Sequence, residues 1–497
     1  MKEIEELKEY FTPLTRLRYI KAILEYDQQV SMPEGSVNGR SEQLALIEEI
    51  YHKKLISRET GLLIEKAEEE QNLNLIESAL LREIKREYDK AIKIPIELAV
   101  EIEKIASLGY QAWEKAREKN DFEIFKPYLE KMVDLKRQYA EKISMGNTLY
   151  DSLLDIYEPG ATSDRISKIF NALKPKLINI LEKINNSSSK PDQSILNKNY
   201  SPAKQWEFSI EILKKLNFNF NIGRQDKSVH PFTTSLSSMD TRITTRIWEN
   251  FLPACLFGTI HECGHALYEM GFKKEIHDTF LADGSSLGFH ESMSRLWENI
   301  VGRSREFWNY WYPILQKFYP ENLKDYPEEK FYRAINVVQP SFIRVEADEV
   351  TYGLHIILRF ELEQDLINNG ISVSDLPELW NTKMGSLLGI TPPDDAKGVL
   401  QDVHWSGGLF GYFPTYTLGN LYSSQIYAKV LKSNPTLPED FKKGNFTNLL
   451  KFLKSEIHQY GKIYKPLELL KRITGEELNI HYFSDYLEKK FYPIYKI

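Results

Sequence analysis

Apolar residues recur at intervals of three and four through most of the chain, as in Leu44, Ile47, Ile50, Tyr51 and Leu55, and again in Ile166, Ile169, Phe170, Leu173, Leu177 and Ile180. That spacing lines one face of an α-helix with apolar side chains. Runs of alternating β-branched residues are scarce, so the expected fold class is mainly α. The pattern changes between Asn219 and Met239, where NFNIGRQDKSVHPFTTSLSSM brings β-branched, aromatic, Gly and Pro residues close together. One or two short strands with turns are expected there, forming a small β-sheet beside the helix that follows.

The one low-complexity stretch, NNSSSKPDQS from Asn185 to Ser194, has side chains too small and polar to support a packed element. It reads as a surface loop in preference to a domain junction. A chain of 497 residues has room for two or three domains. Its hydrophobic content of 42% and charged content of 27% are those of an ordinary globular protein, excluding a disordered or fibrous class.

Charge and cysteine usage narrow the functional classes. The net charge is -7 and no basic block is present, so nucleic acid is not an expected partner. No apolar run approaches the ~18 residues of a membrane span. The start, MKEIEELKEYF, lacks the apolar core of a secretory signal. Cys255 and Cys263 are eight residues apart, too far along one helix to bridge. A reduced, cytoplasmic protein is expected.

Candidate chemistry centres on GTIHECGHALYEMG, Gly258 to Gly271. On a helix, His261 and His265 lie one turn apart on one face and can offer imidazole nitrogens to one ion. Glu262 is rotated by about 100 degrees from His261, off the coordination sphere but near a water on the ion, where a general base belongs. A catalytic zinc takes three protein ligands and leaves the fourth position to water. A third histidine in the extended pattern HExxHxxGxxH would fall at position 271, which is Gly271. The other source is an acidic residue on a following helix, and LGFHESMSRLWENIVGRS supplies Glu291, 26 residues after His265, with His290 and Glu298 as rivals.

Two further stretches have the make-up of a binding site. SFIRVEADEVTYGLHIILRFE reads as a helix with Arg344, Asp348, His355 and Arg359 along one polar stripe and Arg344 paired with Asp348 at i, i+4, an ordinary surface salt bridge being the plainer reading. GVLQDVHWSGGLFGYFPTYTLGN combines His404 and Trp405 with five glycines and two tyrosines. His404, Tyr412 and Tyr416 could each donate to an oxyanion, although buried tyrosines in helical proteins are more often core with a satisfied hydroxyl.

Six ordered motifs, HPFTT (His230 to Thr234), DTRIT (Asp240 to Thr244), HECGH (His261 to His265), HESMS (His290 to Ser294), IRVEAD (Ile343 to Asp348) and GVLQDVHW (Gly398 to Trp405), resemble the signatures of the carboxypeptidase Taq family of metallocarboxypeptidases. The segment EYDQQVSMPEGSVNGRSEQLALI and the C-terminal stretch Ile457 to Tyr486 are similar to the family as well. The resemblance thus covers nearly the whole chain and implies a single peptidase unit, 1–497, with an N-terminal helical half, 1–200, and a half carrying the metal site, 201–497. Two departures stand out: Tyr26 where the family usually has Trp, and Met293 where it usually has Gln.

Carried over by position, the resemblance implies His261, His265 and Glu291 as metal ligands and Glu262 as catalytic acid/base. Tyr412, with Tyr416 second, is expected at the oxyanion and His404 on the substrate backbone. Arg344, with Arg242 second, is expected on the terminal carboxylate, and His230 joins the substrate-binding residues. The implied protein is a helical, neurolysin- or angiotensin-converting-enzyme-like homodimer with a deep cleft. It takes one divalent ion per subunit, zinc first and cobalt second. Its substrates are peptides with a free C-terminus, from which single residues are released with broad specificity. The rivals are an oligopeptidase or dipeptidyl carboxypeptidase on the same fold, and a non-catalytic peptide-binding scaffold.

Overall fold

The computed structural model describes residues 2–497, the side chain of residue 369 excepted. It is built from helices and one three-stranded sheet, as the three- and four-residue spacing predicts. Two compact units are each assembled from three separate segments: Met1–Ile92, Asp192–Ile335 and Tyr422–Leu478 in one, Lys93–Pro191, Asn336–Leu421 and Asn479–Ile497 in the other. The chain passes from the second unit to the first between Pro191 and Asp192. The low-complexity stretch is where that crossing occurs: a helix ends at Asn186, and residues 187–193 have no regular structure. Small polar side chains suit a segment that packs into neither core.

The first unit holds α1 (Lys2–Val30), α2 (Val37–Leu55), α3 (Arg58–Glu68) and α4 (Leu75–Lys93), and later α9 (Pro202–Lys215) and the sheet. Strand β3 (Asp240–Thr245) lies in the middle, parallel to β1 (Gly223–Lys227) and antiparallel to β2 (Thr233–Ser237). Two strands fall inside the span expected from sequence. β3 lies beyond it, although Thr241, Ile243 and Thr245 alternate inward as a central strand requires. Tyr26 of α1 donates its hydroxyl to Asp226 of β1, so the residue standing where the family usually has Trp ties α1 to the sheet.

The sheet packs on α10 (Leu252–Glu269), which is followed by α11 (Leu287–Arg295) and its π-helical continuation Leu296–Val301. α10 opens on Pro253 in its first turn and buries Cys255, Leu256, Ile260, Cys263 and Leu267. Both cysteines are free. α12 (Arg305–Phe318), α13 (Pro320–Leu323), α14 (Glu328–Ala334), α18 (Leu437–Lys442), α19 (Thr447–Glu456) and α20 (Pro466–Thr474) complete this unit.

In the second unit α5 (Ile96–Lys119) and α6 (Phe122–Ile143) form a helical hairpin. Asn120, at φ 53°, closes α5 in the left-handed region, and Asp121 caps α6 by accepting from the Glu123 amide. α7 (Leu149–Tyr157), α8 (Ser163–Asn186), α15 (Thr351–Gln364), α16 (Leu376–Leu388) and α21 (His481–Tyr495) complete it, while α17 (Pro414–Ser433) carries the chain across between Leu421 and Tyr422. α8 buries Ile166, Phe170, Leu173, Leu177 and Ile180 as its spacing predicts, whereas α2 buries only Leu55 and leaves Ile50 44% exposed. Among the described residues no helix is long and apolar enough to cross a membrane.

The absent third histidine at position 271 has a packing counterpart. A Cβ on Gly271 would fall 2.4 Å from His458 Cβ, and the His458 ring lies 5.3 Å from that of Tyr268, fully buried. Burial, aided by Lys454 and His290, pushes His458 down to about 3. Because the folded value lies below the ordinary one, His458 contributes stability fully above pH ~6.5 and loses it as pH falls, about 2 kcal/mol by pH ~5. A His458→Phe variant should lose that component, flattening the fall in stability between those pH values, measured by denaturant unfolding; an unchanged slope would show that His458 takes up no proton on unfolding.

Candidate metal centre

A Cβ on Gly264 would lie 2.7 Å from Ser294 Cα and 2.8 Å from Met293 O, so the bare glycine backbone lets α10 and α11 approach closely. That contact brings Glu291 up against the turn of α10 that carries the two histidines. His261 Nε2 and His265 Nε2 lie 3.7 and 3.6 Å from Glu291 Oε2. One donor atom from each residue fits within 4.8 Å of the others. Ligands about 2.1 Å from a shared tetrahedral ion stand roughly 3.4 Å apart, so the donor set fits a divalent metal of the zinc type. The rivals for the third position stand behind the imidazoles: Glu298 Oε2 is 2.8 Å from His261 Nδ1, and His290 Nδ1 is 2.5 Å from His265 Nδ1.

Electrostatics hold these groups in ligand-ready states. Burial works against ionisation of Glu291, but Arg295 and the histidines hold it well below the usual carboxylate range, with Arg295 Nε 2.7 Å from its Oε1. Glu298 is likewise held at about 2 against its burial, by His261, Arg295 and Arg303. Burial and the adjacent His290 push His265 down to about 3, which keeps it neutral. The π-helical turn after Arg295 belongs to a rare geometry that concentrates at functional sites.

Glu262 is buried on the same helix, and burial raises its carboxyl above the usual range although His261 and Thr233 pull it back. Thr233 Oγ1 of β2 donates to Glu262 Oε2 at 2.7 Å. Two residues on, Ser235 Oγ donates to Glu269 Oε2 at 3.0 Å, as expected of i, i+2 side chains on one strand face. The sheet therefore fixes the carboxylates of α10. Of the other expected residues in this unit, His230 is exposed beside β2, and Arg242 on β3 makes a double ion pair with Asp240, 5.0 Å from the Tyr26 ring.

The second unit gathers the remaining expected residues. Arg344 and Asp348 are not an i, i+4 helical pair: α15 begins at Thr351, and the chain between them turns away from helix. Asp348 instead caps α15, accepting from the amides of Val350 and Thr351 and from Thr351 Oγ1. Arg344, 4% exposed, donates Nε and Nη2 to Asp402 Oδ1 at 3.0 and 2.7 Å and Nη1 to the Tyr352 hydroxyl at 2.9 Å. The polar stripe of α15 is His355, Arg359 and Glu363, all fully buried, and Arg359 Nε takes the other Asp402 oxygen at 2.7 Å.

Glu363 accepts from Trp405 Nε1, the Gly411 amide and the Tyr150 hydroxyl at 2.9, 3.0 and 2.8 Å, pinning the glycine-rich loop. On that loop the His404 ring lies 5.4 Å from Tyr412 and 6.5 Å from Tyr416, and burial pushes it down to about 4. The Arg344 guanidinium sits 5.1 Å from the Tyr416 ring. His404, Tyr412, Tyr416 and Arg344 thus form one cluster whose charge balance rests on Asp402.

Thr233, Glu269, Arg295, Glu363 and Asp402 were not singled out by sequence reasoning. Glu269 stands one turn beyond His265, and Arg295 one turn beyond Glu291. That periodicity was the available signal.

Comparison with known proteins follows the same lines. Residues 6–491 match the model of the carboxypeptidase Taq (M32) metallopeptidases. The chain is 40% identical to carboxypeptidase 1 of Bacillus subtilis, over 98% of both chains, and 40% identical to thermostable carboxypeptidase 1 of Thermus thermophilus, over 99% of this chain and 98% of that one. A solved carboxypeptidase from Pyrococcus furiosus superposes with a TM-score of 0.97 at 38% identity, over 99% of both chains.

Proposed function

The chain belongs to the carboxypeptidase Taq (M32) family of metallopeptidases and is a metal-dependent carboxypeptidase, and from that premise we propose that it releases single C-terminal residues with broad specificity, using zinc, with cobalt as substitute. The observation that carries the residue assignment is the triangle of His261, His265 and Glu291 with Glu262 buried beside it. A homodimer, on resemblance, and a cytoplasmic location, on cysteine usage, complete the reading. The non-catalytic scaffold gives way to an enzyme, since the family and the relatives are peptide hydrolases.

His261, His265 and Glu291 would hold the ion. When bound, a divalent metal would lower the pKa of its water towards ~7 and polarise the scissile carbonyl. Glu262 supplies the base: its carboxyl, raised by burial and aimed by Thr233, accepts the water proton and delivers it to the departing amine. Tyr412, with Tyr416 behind it, is assigned to the developing oxyanion, where one well-placed donor contributes on the order of 3 kcal/mol. His404, held neutral, is assigned to the substrate backbone.

Arg344 is assigned to the terminal carboxylate, with Arg242 second and His230 nearby in sequence to it. Asp402 takes Nε and Nη2 of Arg344 and Tyr352 takes Nη1, which fixes the plane of the guanidinium, the group best suited to a carboxylate.

A mass-spectrometric time course of a ~10-residue peptide and its C-terminal amide, with zinc- or cobalt-loaded protein, tests this reading. Stepwise loss of single residues from the free acid, with the amide untouched, is the expected result. Losses of two residues would make it a dipeptidyl carboxypeptidase, and internal fragments from both peptides an oligopeptidase. Glu262→Gln should keep its metal and lose about 10²–10⁴ in turnover; a variant at full rate would remove Glu262 from the mechanism.

A further inference from the structure

The two histidines of the metal triangle are supported in different ways. His261 Nδ1 meets a carboxylate directly, 2.8 Å from Glu298. His265 Nδ1 meets a second imidazole, His290 Nδ1, and only His290 Nε2 reaches a carboxylate, 2.7 Å from Glu269 Oε1. Glu269 Oε2 in turn accepts from Ser235 of β2.

Proton placement follows from this order. Two Nδ1 atoms facing each other have room for one proton between them. A ligand histidine leaves the nitrogen aimed at the ion unprotonated, and the Nε2 of His265 is the one facing Glu291. Its proton is then on Nδ1, donated to His290. His290 consequently carries its own proton on Nε2 and donates it to Glu269. One direction of donation satisfies every nitrogen in the chain with both rings neutral.

The His290 ring is also held sterically. A Cβ at Gly284 would lie 2.7 Å from its Cδ2, so any side chain there would meet one edge of the ring, and the Tyr268 ring lies 5.3 Å away.

We propose that His290 is a positioning residue for His265, setting its tautomer and ring orientation through a relay that ends on Glu269 and on Ser235 of the sheet. The proposal rests on the assignment of His261, His265 and Glu291 as the ligands. It makes HESMS a motif with two jobs on adjacent residues: Glu291 toward the ion, and His290 toward the back of a ligand on the neighbouring helix. It also links both α10 carboxylates to one face of β2, since Thr233 aims Glu262 and Ser235 aims Glu269.

The test is zinc affinity at fixed pH, by competition with a chromophoric chelator, together with the absorption spectrum of the cobalt-substituted protein. Groups that orient a ligand histidine typically change metal affinity by about 10–100-fold. His290→Leu should weaken zinc by that much and alter the cobalt spectrum. His290→Gln, whose amide oxygen can accept from His265 and whose NH2 can donate to Glu269, should recover most of the affinity. Gly284→Ala removes no polar atom but displaces the ring, and should weaken zinc like His290→Leu; it decides the matter if the leucine variant does not fold. Zinc binding by His290→Leu within about threefold of wild type, or His290→Gln as weak as His290→Leu, would overturn the role of His290 alone. Wild-type protein that takes up neither ion would overturn the ligand assignment and this proposal with it.

Discussion

The close approach of α10 and α11 at Gly264 is the constraint from which the clustering of His261, His265 and Glu291 follows. A side chain at that position would have to occupy the space of Ser294 Cα and Met293 O, and the helices would separate. Separation by even a methyl group would carry Glu291 away from His261 and His265, whose donor atoms stand 3.7 and 3.6 Å from it. Met293, fully buried at the same crossing, contributes its carbonyl to the contact, so the exchange from the family's usual Gln alters a side chain beside the site and leaves the backbone approach intact. The helix pair is supported from one side by the sheet, whose strand β2 sends two alternate hydroxyls into α10.

Each unit also carries a buried ionic network, and the two follow one logic. Glu291 and Glu298 stay ionised against their burial because Arg295 and Arg303 are beside them, and Asp402 stays ionised between Arg344 and Arg359. Burying charges is expensive, and such networks are weak evidence for stability. Their effect here is orientation, since each charged group is held in one position by its partners. Glu363 extends this on the second unit, where Trp405 Nε1 and the Gly411 amide tie the loop carrying His404 and Tyr412 to α15 and the Tyr150 hydroxyl ties in α7.

Much of this was legible in the sequence because helical spacing and metal-ligand spacing are both local. The stripe of Ile166 to Ile180 lies buried in α8, and His261 and His265 share a helix face. The strands were legible only in part, since β3 owes its central place to partners distant in sequence. The i, i+4 spacing of Arg344 and Asp348 suggests one continuous helix, but Asp348 ends the irregular chain as a cap before α15 begins at Thr351. The interleaving of the units, and the partners of Asp402 and Glu363, depend on segments brought together from far along the chain. No local period reports them.

X-ray absorption at the zinc edge of the reconstituted protein would show whether a divalent ion is held by two imidazoles and one carboxylate. Two imidazole nitrogens and oxygen ligands at about 2.0–2.2 Å are expected, with Glu291→Gln losing the ion or lengthening one oxygen distance. Three imidazoles, or a fully oxygen-ligated ion unaffected by changes at His261 and His265, would contradict that ligand set.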